Sequence, residues 1–296
     1  MNPASGNGAT GRRWPELARL AEEAGLRGKA LFSEREGHVA ELARDAAEQG
    51  ARLLVVVGGD GTVNEAVNGL QAAGADAELA LVPCGTGDDF ARSVGIPTDA
   101  GRALQVAAGE AARRIDLGRA AFVGWDGSKR ERYFANFAGA GISGAIARRG
   151  AATSRRLGVR AAYFWATVAV FARWKSVEIS LDGGGERRSG LMYEVLAANG
   201  AYTAGGMKIA PDAVPDDGLF DLVVIGDFTK TEFVNTFPKI YRGTHVRHPK
   251  IEVLRAERVS LEAASALPVV LDGEQPGTTP VTFEIVPGAL KLRVPA

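Results

Sequence analysis

Two short glycine-rich stretches carry the residue types best suited to hold a polyphosphate. The first, Gly58-Gly59-Asp60-Gly61-Thr62, follows the apolar run Leu53–Val57 and precedes a segment of helical composition. Glycines let a backbone turn sharply and approach a ligand without a Cβ clash, and exposed amides before a helix attract anions. A carboxylate among such amides suits Mg²⁺ that bridges phosphates, which makes Asp60 a candidate residue for metal binding. A plain strand-to-helix turn is the alternative on these residues alone.

The second stretch, Pro83-Cys84-Gly85-Thr86-Gly87-Asp88-Asp89-Phe90-Ala91, repeats the order of buried strand, glycine-rich turn and helix. Thr86 and the glycines are candidates to hydrogen-bond phosphate or ribose. Either Asp88 or Asp89 alone would suffice to cap the following helix. The other aspartate is therefore available for a different role. Cys84 is expected to be a packing residue, since no basic partner lies near it in the sequence.

Two acidic stretches lie in the second half of the chain. Asp212 and Asp216-Asp217-Gly218 precede an apolar run, and they resemble a cation-binding loop without the spacing of an EF-hand. Asp272-Gly273-Glu274 follows another apolar run. By itself it predicts a hairpin turn, and as chemistry one of its carboxylates could accept a proton from an attacking hydroxyl.

The composition limits what the protein can be. The chain has 296 residues, 46% of them hydrophobic, and this size predicts two domains. Lysine plus arginine and aspartate plus glutamate number 35 each, so no overall charge attracts the chain to nucleic acid or to anionic membranes, and any such attraction must come from local clusters. The single cysteine fits a reducing compartment, and the first residues lack the features of a signal peptide. No apolar stretch reaches the roughly 18 residues that a membrane-spanning helix needs, so we expect a cytoplasmic protein.

Apolar periodicity divides the chain into two parts. In the first, helical spacing alternates with short apolar runs such as Leu53–Val57 and Leu79–Val82, which is typical of a parallel sheet covered by helices. After about Ile115 short β-rich runs dominate, and Gly, Asp and Pro separate them, which predicts an antiparallel β-sandwich. One helical segment, roughly Gly158–Trp174, interrupts these runs. The predicted fold class is an α/β domain followed by an all-β domain.

Several common motifs are excluded. Gly139-Ala140-Gly141-Ile142-Ser143-Gly144 fits the dinucleotide fingerprint, but that fingerprint needs an acidic residue about 20 positions later. No Asp or Glu occurs from Ala145 through Val177, so we reject a Rossmann site. The chain has no P-loop or nucleophile-elbow sequence. Its three histidines and one cysteine form no zinc pattern.

Taken together, these motifs resemble the catalytic domain of soluble bacterial diacylglycerol kinases and related lipid kinases. The motifs that carry the resemblance are, in chain order, Asn2-Pro3-x-Ser5-Gly6, Ser33-Glu34 before Gly37-His38, Gly58-Gly59-Asp60-Gly61-Thr62-x-Asn64-Glu65-x-x-Asn68-Gly69, Pro83-x-Gly85-Thr86-x-Asp88-Asp89-Phe90-Ala91, Asp217-Gly218 and Asp272-Gly273-Glu274. Gly-Gly-Asp-Gly-Thr also occurs in NAD kinases and phosphofructokinase relatives. Its extension to Asn68-Gly69 and the late Asp-Gly-Glu are more specific.

The resemblance implies a fold and a function for each of two domains. An N-terminal α/β domain that binds ATP would span residues 1–118, and a C-terminal antiparallel β-sandwich that binds the lipid would span 119–287. The segment 288–296 would return to the first domain. The active site would lie in the cleft between the two domains.

The resemblance also implies roles for individual residues, with ATP and Mg²⁺ as cofactors and a lipid hydroxyl as the acceptor. Those implied to hold ATP are Asn2, Pro3, Ala4, Ser5, Gly6, Ser33, Gly58, Gly59, Asp60, Gly61, Thr62, Val63, Asn64, Thr86 and Asp89. Asp217 would be the side-chain ligand of a structural Mg²⁺, with backbone carbonyls near Val214 and Leu219. Glu274 would accept the proton of the hydroxyl with support from Asp272, and Asp60 and Asp89 would position catalytic Mg²⁺.

The chain departs from the family pattern at three places. Asp88-Asp89 stands where the family usually has Asn-Asp, which adds a negative charge beside the phosphates. Ser33 replaces the usual threonine and keeps its hydroxyl. Met1 precedes Asn2 directly, whereas relatives have a hydrophobic strand before Asn-Pro, and we expect this difference to weaken ATP binding.

A basic and aromatic segment predicts a contact with membranes. From Ala145 to Val177 the only charged residues are basic. They are Arg148, Arg149, Arg155, Arg156, Arg160, Arg173 and Lys175, and they surround Tyr163, Phe164, Trp165, Phe171 and Trp174. Such a helix suits the surface of an anionic bilayer, at the inner face of the membrane for a cytoplasmic protein. An ordinary core helix with basic, solvated ends is the alternative.

Two other functions remain open on the sequence alone. A NAD kinase shares Gly-Gly-Asp-Gly-Thr and the Asn-Glu pair, but Asp272-Gly273-Glu274 and the N-terminal Asn-Pro-x-Ser-Gly argue against it. A non-enzymatic sensor of lipid or nucleotide is the second alternative. The sequence does not specify the lipid, and a homodimer is one of the oligomeric states it allows.

Overall fold

The computed structural model describes residues 1–146, 168–171 and 173–296, which form two compact units. Unit 1 comprises Met1–Leu117 together with Pro287–Ala296, and unit 2 comprises Gly118–Val286. The sequence analysis placed the corresponding boundaries after residues 118 and 287. The cleft expected between the domains stays a prediction.

Unit 1 alternates helices with parallel strands, as the apolar periodicity predicts. Its elements are α1 (Ala9–Arg12), α2 (Trp14–Glu23), α3 (His38–Glu48), β1 (Leu53–Gly58), α4 (Asp60–Ala73), β2 (Glu78–Pro83), α5 (Asp89–Ser93) and α6 (Ala100–Ala108). Strand β3 (Ala112–Gly124) begins in this unit, and the last residues of β12 (Glu274–Arg293) belong to it.

The sheet of unit 1 has β2 at its centre. Strand β1 pairs with β2 in parallel, from Leu53 opposite Glu78 to Gly58 opposite Pro83. The end of β12 pairs with the other edge of β2, also in parallel. Glu78 fixes that edge through ion pairs with Lys291, at 2.6 Å, and with Arg293. Since β2 is a central parallel strand, its side chains are buried on both faces.

Helices α3 and α4 pack closely because α4 carries a glycine at their contact. A Cβ built at Gly69 would lie 2.2 Å from the carbonyl oxygen of Ala40 in α3. Backbone cannot yield as a flexible side chain can, so only glycine fits here. The Asn68-Gly69 end of the long motif therefore has a packing function, which holds α4 against α3.

We predict that Gly69→Ala destabilises the protein by about 1–3 kcal/mol, since overpacking a well-packed contact costs this much. Gly28→Ala is the matched control, because a Cβ at Gly28 meets nothing within 4 Å. Chemical denaturation of both variants gives the comparison. Equal loss of stability in the two variants would contradict the packing role of Gly69.

Unit 2 is built from antiparallel strands. Its further elements are β4 (Lys129–Phe134), β5 (Phe137–Gly141), β6 (Val177–Gly183), β7 (Glu186–Ala198), β8 (Phe220–Gly226), α7 (Lys230–Ile240), β9 (Ile251–Ala256), β10 (Arg258–Ala263) and β11 (Pro268–Leu271). A 3₁₀ turn spans Thr244–Arg247, and residues 142–146 are helical.

The pairing of these strands encloses two apolar clusters. Strand β7 pairs with β5, β6 and β8, and β12 pairs with β10 and β11. In the larger cluster the ring of Phe134 stacks on Phe220 and meets Phe283 edge to face. The second cluster contains Phe171, whose ring stacks on Phe233 of α7 with centroids 3.7 Å apart.

The structure corrects several element predictions. Strand β12 is longer than the short β-rich runs that the sequence predicts, and it continues past Pro287 to Arg293. Proline cannot donate to a strand ladder, which favoured a break at Pro287. There the next amide, of Gly288, donates instead to the carboxylate of Asp116 at 2.8 Å.

Other differences concern the ends of elements and one helix. The predicted run Arg132–Phe137 is divided between β4 and β5. Helix α4 begins at Asp60, inside the first glycine-rich stretch rather than after it, and α7 was not predicted. Most of the predicted helix Gly158–Trp174 lies outside the described residues. Over the described ranges, no helix combines the length and apolar character that crossing a membrane requires.

Candidate active site

The two glycine-rich loops of unit 1 meet where β1 and β2 end. The amide of Cys84 donates to the carbonyl of Gly58 at 2.9 Å, which extends the pairing of the strands into the loops. A Cβ at Gly59 would lie 2.8 Å from Cα of Gly85, and one at Gly85 would lie 2.5 Å from Cα of Gly59. Any side chain at either position would force the loops apart. The carboxyl ends of parallel strands are where α/β sheets bind ligands.

The N-terminal loop is tied to both glycine loops. The hydroxyls of Ser5 and Thr10 each donate to the carbonyl of Cys84 at 3.1 Å. The side-chain amide of Asn2 donates to the hydroxyl of Thr62 at 3.2 Å, and its backbone amide donates to Val57 at 3.1 Å. The predicted residues Asn2–Gly6 and Gly58–Thr62 are therefore brought together. Thr10 is a part of this arrangement that the sequence analysis missed.

Ser33 lies close to the N-terminal loop. Its amide donates to the carbonyl of Met1 at 3.0 Å, and the amino group of Met1 donates to Leu31 at 2.8 Å. Met1 and Asn2 thus hydrogen-bond to the segment Leu31–Ser33 on one side and to the end of β1 on the other. These backbone hydrogen bonds connect the two segments through Met1 and Asn2.

The carboxylate of Asp60 links the beginnings of two helices. Its Oδ1 accepts from the amide of Phe90 at 3.0 Å, and its Oδ2 accepts from the amide of Asp89 at 3.2 Å. Asp60 therefore caps α5 from the first residue of α4. The sequence analysis assigned Asp60 to Mg²⁺, and the structure gives it this positioning contact as well.

Asp88 and Asp89 have different surroundings. Asp89 is buried and pairs with Nη1 of Arg92 at 2.8 Å, a partner that the sequence analysis did not identify. Asp88 adopts a positive φ of 50° and accepts from the amide of Gly85 at 2.9 Å. Burial, and then the charge of Asp60, raise the pKa of Asp88 to about 6. Thr86 is exposed between the two glycines of this loop.

In unit 2 the Asp-Gly-Glu motif forms the turn between β11 and β12, as the hairpin reading predicts. Leu271 is opposite Glu274, and Asp272 and Gly273 both have positive φ, at 47° and 92°, as a two-residue type I′ turn requires. The carboxylate of Asp272 accepts from the amides of Ala135, at 2.7 Å, and of Asn136 and Phe137, both at 3.0 Å. It therefore fixes the hairpin to the connection between β4 and β5.

Asparagines extend this network beneath the hairpin. The side chain of Asn136 donates to the carbonyl of Tyr202 at 2.7 Å, and that of Asn199 donates to Ala135 at 2.8 Å. Asn136 and Asn199 are both buried. Neither was singled out from the sequence, because their partners are distant along the chain.

Glu274, the predicted base, is the first residue of β12. Its Oε2 lies 2.6 Å from Nη1 of Arg132 in β4, and about a third of its side chain is exposed. Arg132 is a residue that the sequence analysis missed. The guanidinium of Arg132 therefore orients the carboxylate of Glu274.

The predicted Mg²⁺ loop contains an ion pair. Oδ1 of Asp217 accepts from the amide of Leu219 at 3.1 Å, and Oδ2 pairs with Arg255. The same guanidinium approaches Asp221 at 3.5 Å, where burial raises the pKa of that carboxyl. Val214 is exposed. Among the described residues no three His, Cys, Asp or Glu side chains form a group that could hold a metal ion, and the assignment of Mg²⁺ to Val214, Asp217 and Leu219 stays a prediction.

The rejected dinucleotide motif surrounds a buried acid. Glu194 of β7 accepts from the amide and the hydroxyl of Ser143, at 2.5 and 2.8 Å. A Cβ at Gly139 would lie 2.8 Å from one carboxylate oxygen, and one at Gly141 would lie 3.0 Å from the other. The two glycines thus make room for Glu194. Burial raises the pKa of Glu194 to about 8, although both hydrogen bonds from Ser143 lower it.

Two protein-family models together match nearly the whole chain. The model described as "Diacylglycerol kinase catalytic domain" matches residues 1–120, and "YegS C-terminal NAD kinase beta sandwich-like domain" matches residues 136–294. Diacylglycerol kinases of Staphylococcus carnosus and Staphylococcus saprophyticus are 27% and 28% identical over 282 residues. These alignments cover 95% of this chain and 89% and 90% of the relatives.

Solved structures have the same fold. A crystal structure of a diacylglycerol kinase from Bacillus anthracis str. Sterne has a TM-score of 0.73 at 21% identity, and covers 99% of this chain and 94% of that one. Another from the same organism has a TM-score of 0.81 at 22% identity, and covers 99% and 93%.

Glycine loops at the ends of parallel strands, in a chain that also carries a β-sandwich-like unit, define a two-domain kinase. This chain belongs to the diacylglycerol kinase family. Membership confirms the predicted family and fold class, the β-sandwich included, and the prediction of a lipid kinase. As a kinase of this family the protein uses ATP. The individual site residues remain predictions.

We predict that Asp88→Asn stabilises the protein at alkaline pH. The raised pKa means that the ionised Asp88 disfavours the fold, with no penalty below about pH 4 and the full penalty above about pH 6. Asparagine also tolerates a positive φ well. We expect a melting temperature roughly 2–4 °C higher than wild type at pH 8 and no difference at pH 4. Asp182→Asn, at an exposed position, is the control, and equal shifts at both pH values would contradict the electrostatic cause.

The stability of the wild-type protein should fall as pH rises from about 4.5 to 8, because the buried Glu194 ionises. We further predict that Glu194→Gln removes this fall. An acid with a raised pKa in the folded state stabilises fully below its unfolded pKa, and this contribution is lost as pH rises through the folded value. The free energy of unfolding of the variant should exceed that of wild type by roughly 2–4 kcal/mol at pH 9. Denaturation at pH 5, 7 and 9 measures it, with exposed Glu178→Gln as the control. Parallel curves for variant and wild type would exclude the buried charge.

Proposed function

We propose that the protein transfers the γ-phosphoryl group of ATP to the hydroxyl of diacylglycerol or a related lipid, with Mg²⁺. The observation that supports this most is the backbone cradle at Gly59 and Gly85, where side chains have no room. Loops without Cβ atoms fit a polyphosphate, because their backbone can approach the ligand closely. The names of the staphylococcal relatives support diacylglycerol as the acceptor.

In this proposal unit 1 holds the nucleotide. Amides of the Gly58–Thr62 loop and the hydroxyl of Thr86 contact the phosphates. Asn2 and Ser5 position the loops through their bonds to Thr62 and Cys84. Asp60 and Asp89 would supply hard oxygen ligands that suit Mg²⁺, and the ion would neutralise charge on the phosphates.

Unit 2 supplies the proton acceptor. The oxygen of the lipid hydroxyl forms a bond to the γ-phosphorus, and the bond from that phosphorus to the β–γ bridging oxygen breaks, which releases ADP. The hydroxyl proton passes to Glu274, which Arg132 orients. Asp272 holds the hairpin in place through its three amide contacts, so we assign it a positioning role.

Radiolabel transfer from γ-labelled ATP to dispersed lipids tests the proposal. We expect a labelled diacylglycerol product from wild type, and a rate for Glu274→Gln lower by about 10²–10⁴-fold, the usual contribution of a general base. Glu262→Gln, at an exposed position of β10, should retain wild-type activity. Chelation of Mg²⁺ should abolish transfer.

The same experiment separates the alternatives. Label in NAD rather than in lipid would identify a NAD kinase. Binding of ATP without transfer to any acceptor would favour a sensor. A Glu274→Gln variant as active as wild type would remove Glu274 from the chemistry and leave the kinase itself intact.

A further inference from the structure

Helix α7 presents an apolar stripe to solvent. Val234 is 63% exposed and Tyr241 is 49% exposed. Pro238, also exposed, lies four residues after Val234 and three before Tyr241, a spacing that places all three on one side of a helix. Another side of α7 contacts the core through Phe233, which stacks on Phe171. Tyr241 meets the ring of Phe237 edge to face, and about half of its side chain remains exposed with most of Val234.

The charges around α7 are almost all positive. From Phe228 to Ile251 the chain has five Lys or Arg residues and one acid, Glu232. Glu232 pairs with Lys250 at 2.8 Å, and Lys230 donates to the carbonyl of Trp174 at 2.8 Å. These two lysines thus act within unit 2.

Lys239 and Arg242 differ from those two lysines. Both are exposed beside the stripe, and neither has a carboxylate within 4 Å among the residues that the structure places. Cations near a helix C-terminus complement its dipole, which accounts for their sign. It does not account for the solvent-exposed valine and tyrosine next to them.

We propose that the α7 stripe, Val234, Pro238 and Tyr241 with Lys239 and Arg242, docks the protein on an anionic phospholipid bilayer. The inference rests on the proposed function, since a long-chain acceptor must be taken from a bilayer. A helix with apolar side chains flanked by cations lies in the interface of such a membrane. Tyrosine favours that interface, and each lysine or arginine adds attraction to anionic lipid.

This surface is separate from the segment that the sequence analysis favoured for membrane contact. Most of the segment Ala145–Val177 lies outside the described residues. Phe171 and Trp174, near its end, pack in the second apolar cluster of unit 2. These two aromatic residues therefore fit the alternative of an ordinary core helix.

Vesicle flotation with two double variants tests the inference. Val234→Ser/Tyr241→Ser removes the apolar groups, and Lys239→Glu/Arg242→Glu reverses the charges. Leu191→Ser/Val253→Ser changes two exposed apolar residues on strands, and Arg52→Glu/Arg102→Glu gives the same change of net charge in unit 1. The vesicles contain either phosphatidylcholine alone or phosphatidylcholine with phosphatidylglycerol.

Wild type and both controls should float with anionic vesicles, and both α7 variants should lose at least tenfold in bound fraction. Absence of wild-type binding, or equal binding by all five proteins, would overturn the proposal. Dissociation of a dimer by the α7 variants, measured by sedimentation with vesicle binding unchanged, would show that a second copy covers the stripe and would also overturn it.

Kinase activity on a short-chain, water-soluble diacylglycerol separates this inference from the proposed function. The α7 variants should phosphorylate that substrate at the wild-type rate and lose activity only on vesicles. Loss of vesicle binding with soluble activity retained supports docking. No activity of wild type on the soluble substrate would reject the proposed function, whereas flotation would still decide the docking surface.

Discussion

The contact between two backbones, at Gly59 and Gly85, is the constraint on which the candidate nucleotide site depends. Two loops can approach this closely only if neither carries a Cβ at the contact. Once they meet, the carbonyl of Cys84 lies where Ser5 and Thr10 can both donate to it. The N-terminal loop is thereby fixed to the sheet. A substitution at either glycine would disturb all three loops, so the polar residues around them depend on a contact that involves no side chain.

In both units a carboxylate that looked catalytic holds distant segments together. Asp60 accepts from the amides of Asp89 and Phe90, and Asp272 accepts from three amides around Asn136. Hydrogen bonds of this kind favour the ionised form of an acid in general. A carboxylate so bound keeps a fixed place. Glu274 differs from Asp272 in its surroundings, because it pairs with Arg132 and about a third of its side chain is exposed. This difference supports the proposal that Glu274 transfers the proton and that Asp272 has a positioning role.

Local patterns could be predicted from the sequence, whereas contacts between distant residues could not. The order of strand, glycine loop and helix at Gly58–Thr62 and at Gly85–Asp89 depends on neighbouring residues, and the structure has it. The partners Arg132 and Arg92 were missed, because an arginine in a charged strand or a short helix resembles any solvated one. Helix α7 was missed because Pro238 lies inside it and proline argues against a helix interior. Strand β12 was divided in two for a similar reason, since a side chain of Asp116 replaces the strand partner near Pro287.

The glycine motif at Gly139–Gly144 shows that one sequence pattern can accommodate either a bound pyrophosphate or a buried carboxylate. In a dinucleotide site such glycines let backbone amides approach a pyrophosphate. Here they make room for Glu194, which lies 51 residues from Ser143 in sequence. In both cases the glycines admit an oxygen-rich group close to the backbone, and helix-forming residues follow. The missing acid after Ala145 was sufficient to exclude a nucleotide, because the ribose would have no partner. The group that the glycines accommodate is Glu194 of strand β7. It could not be predicted from the sequence, because β7 is distant from the motif along the chain. The raised pKa of Glu194 follows from its burial at this place.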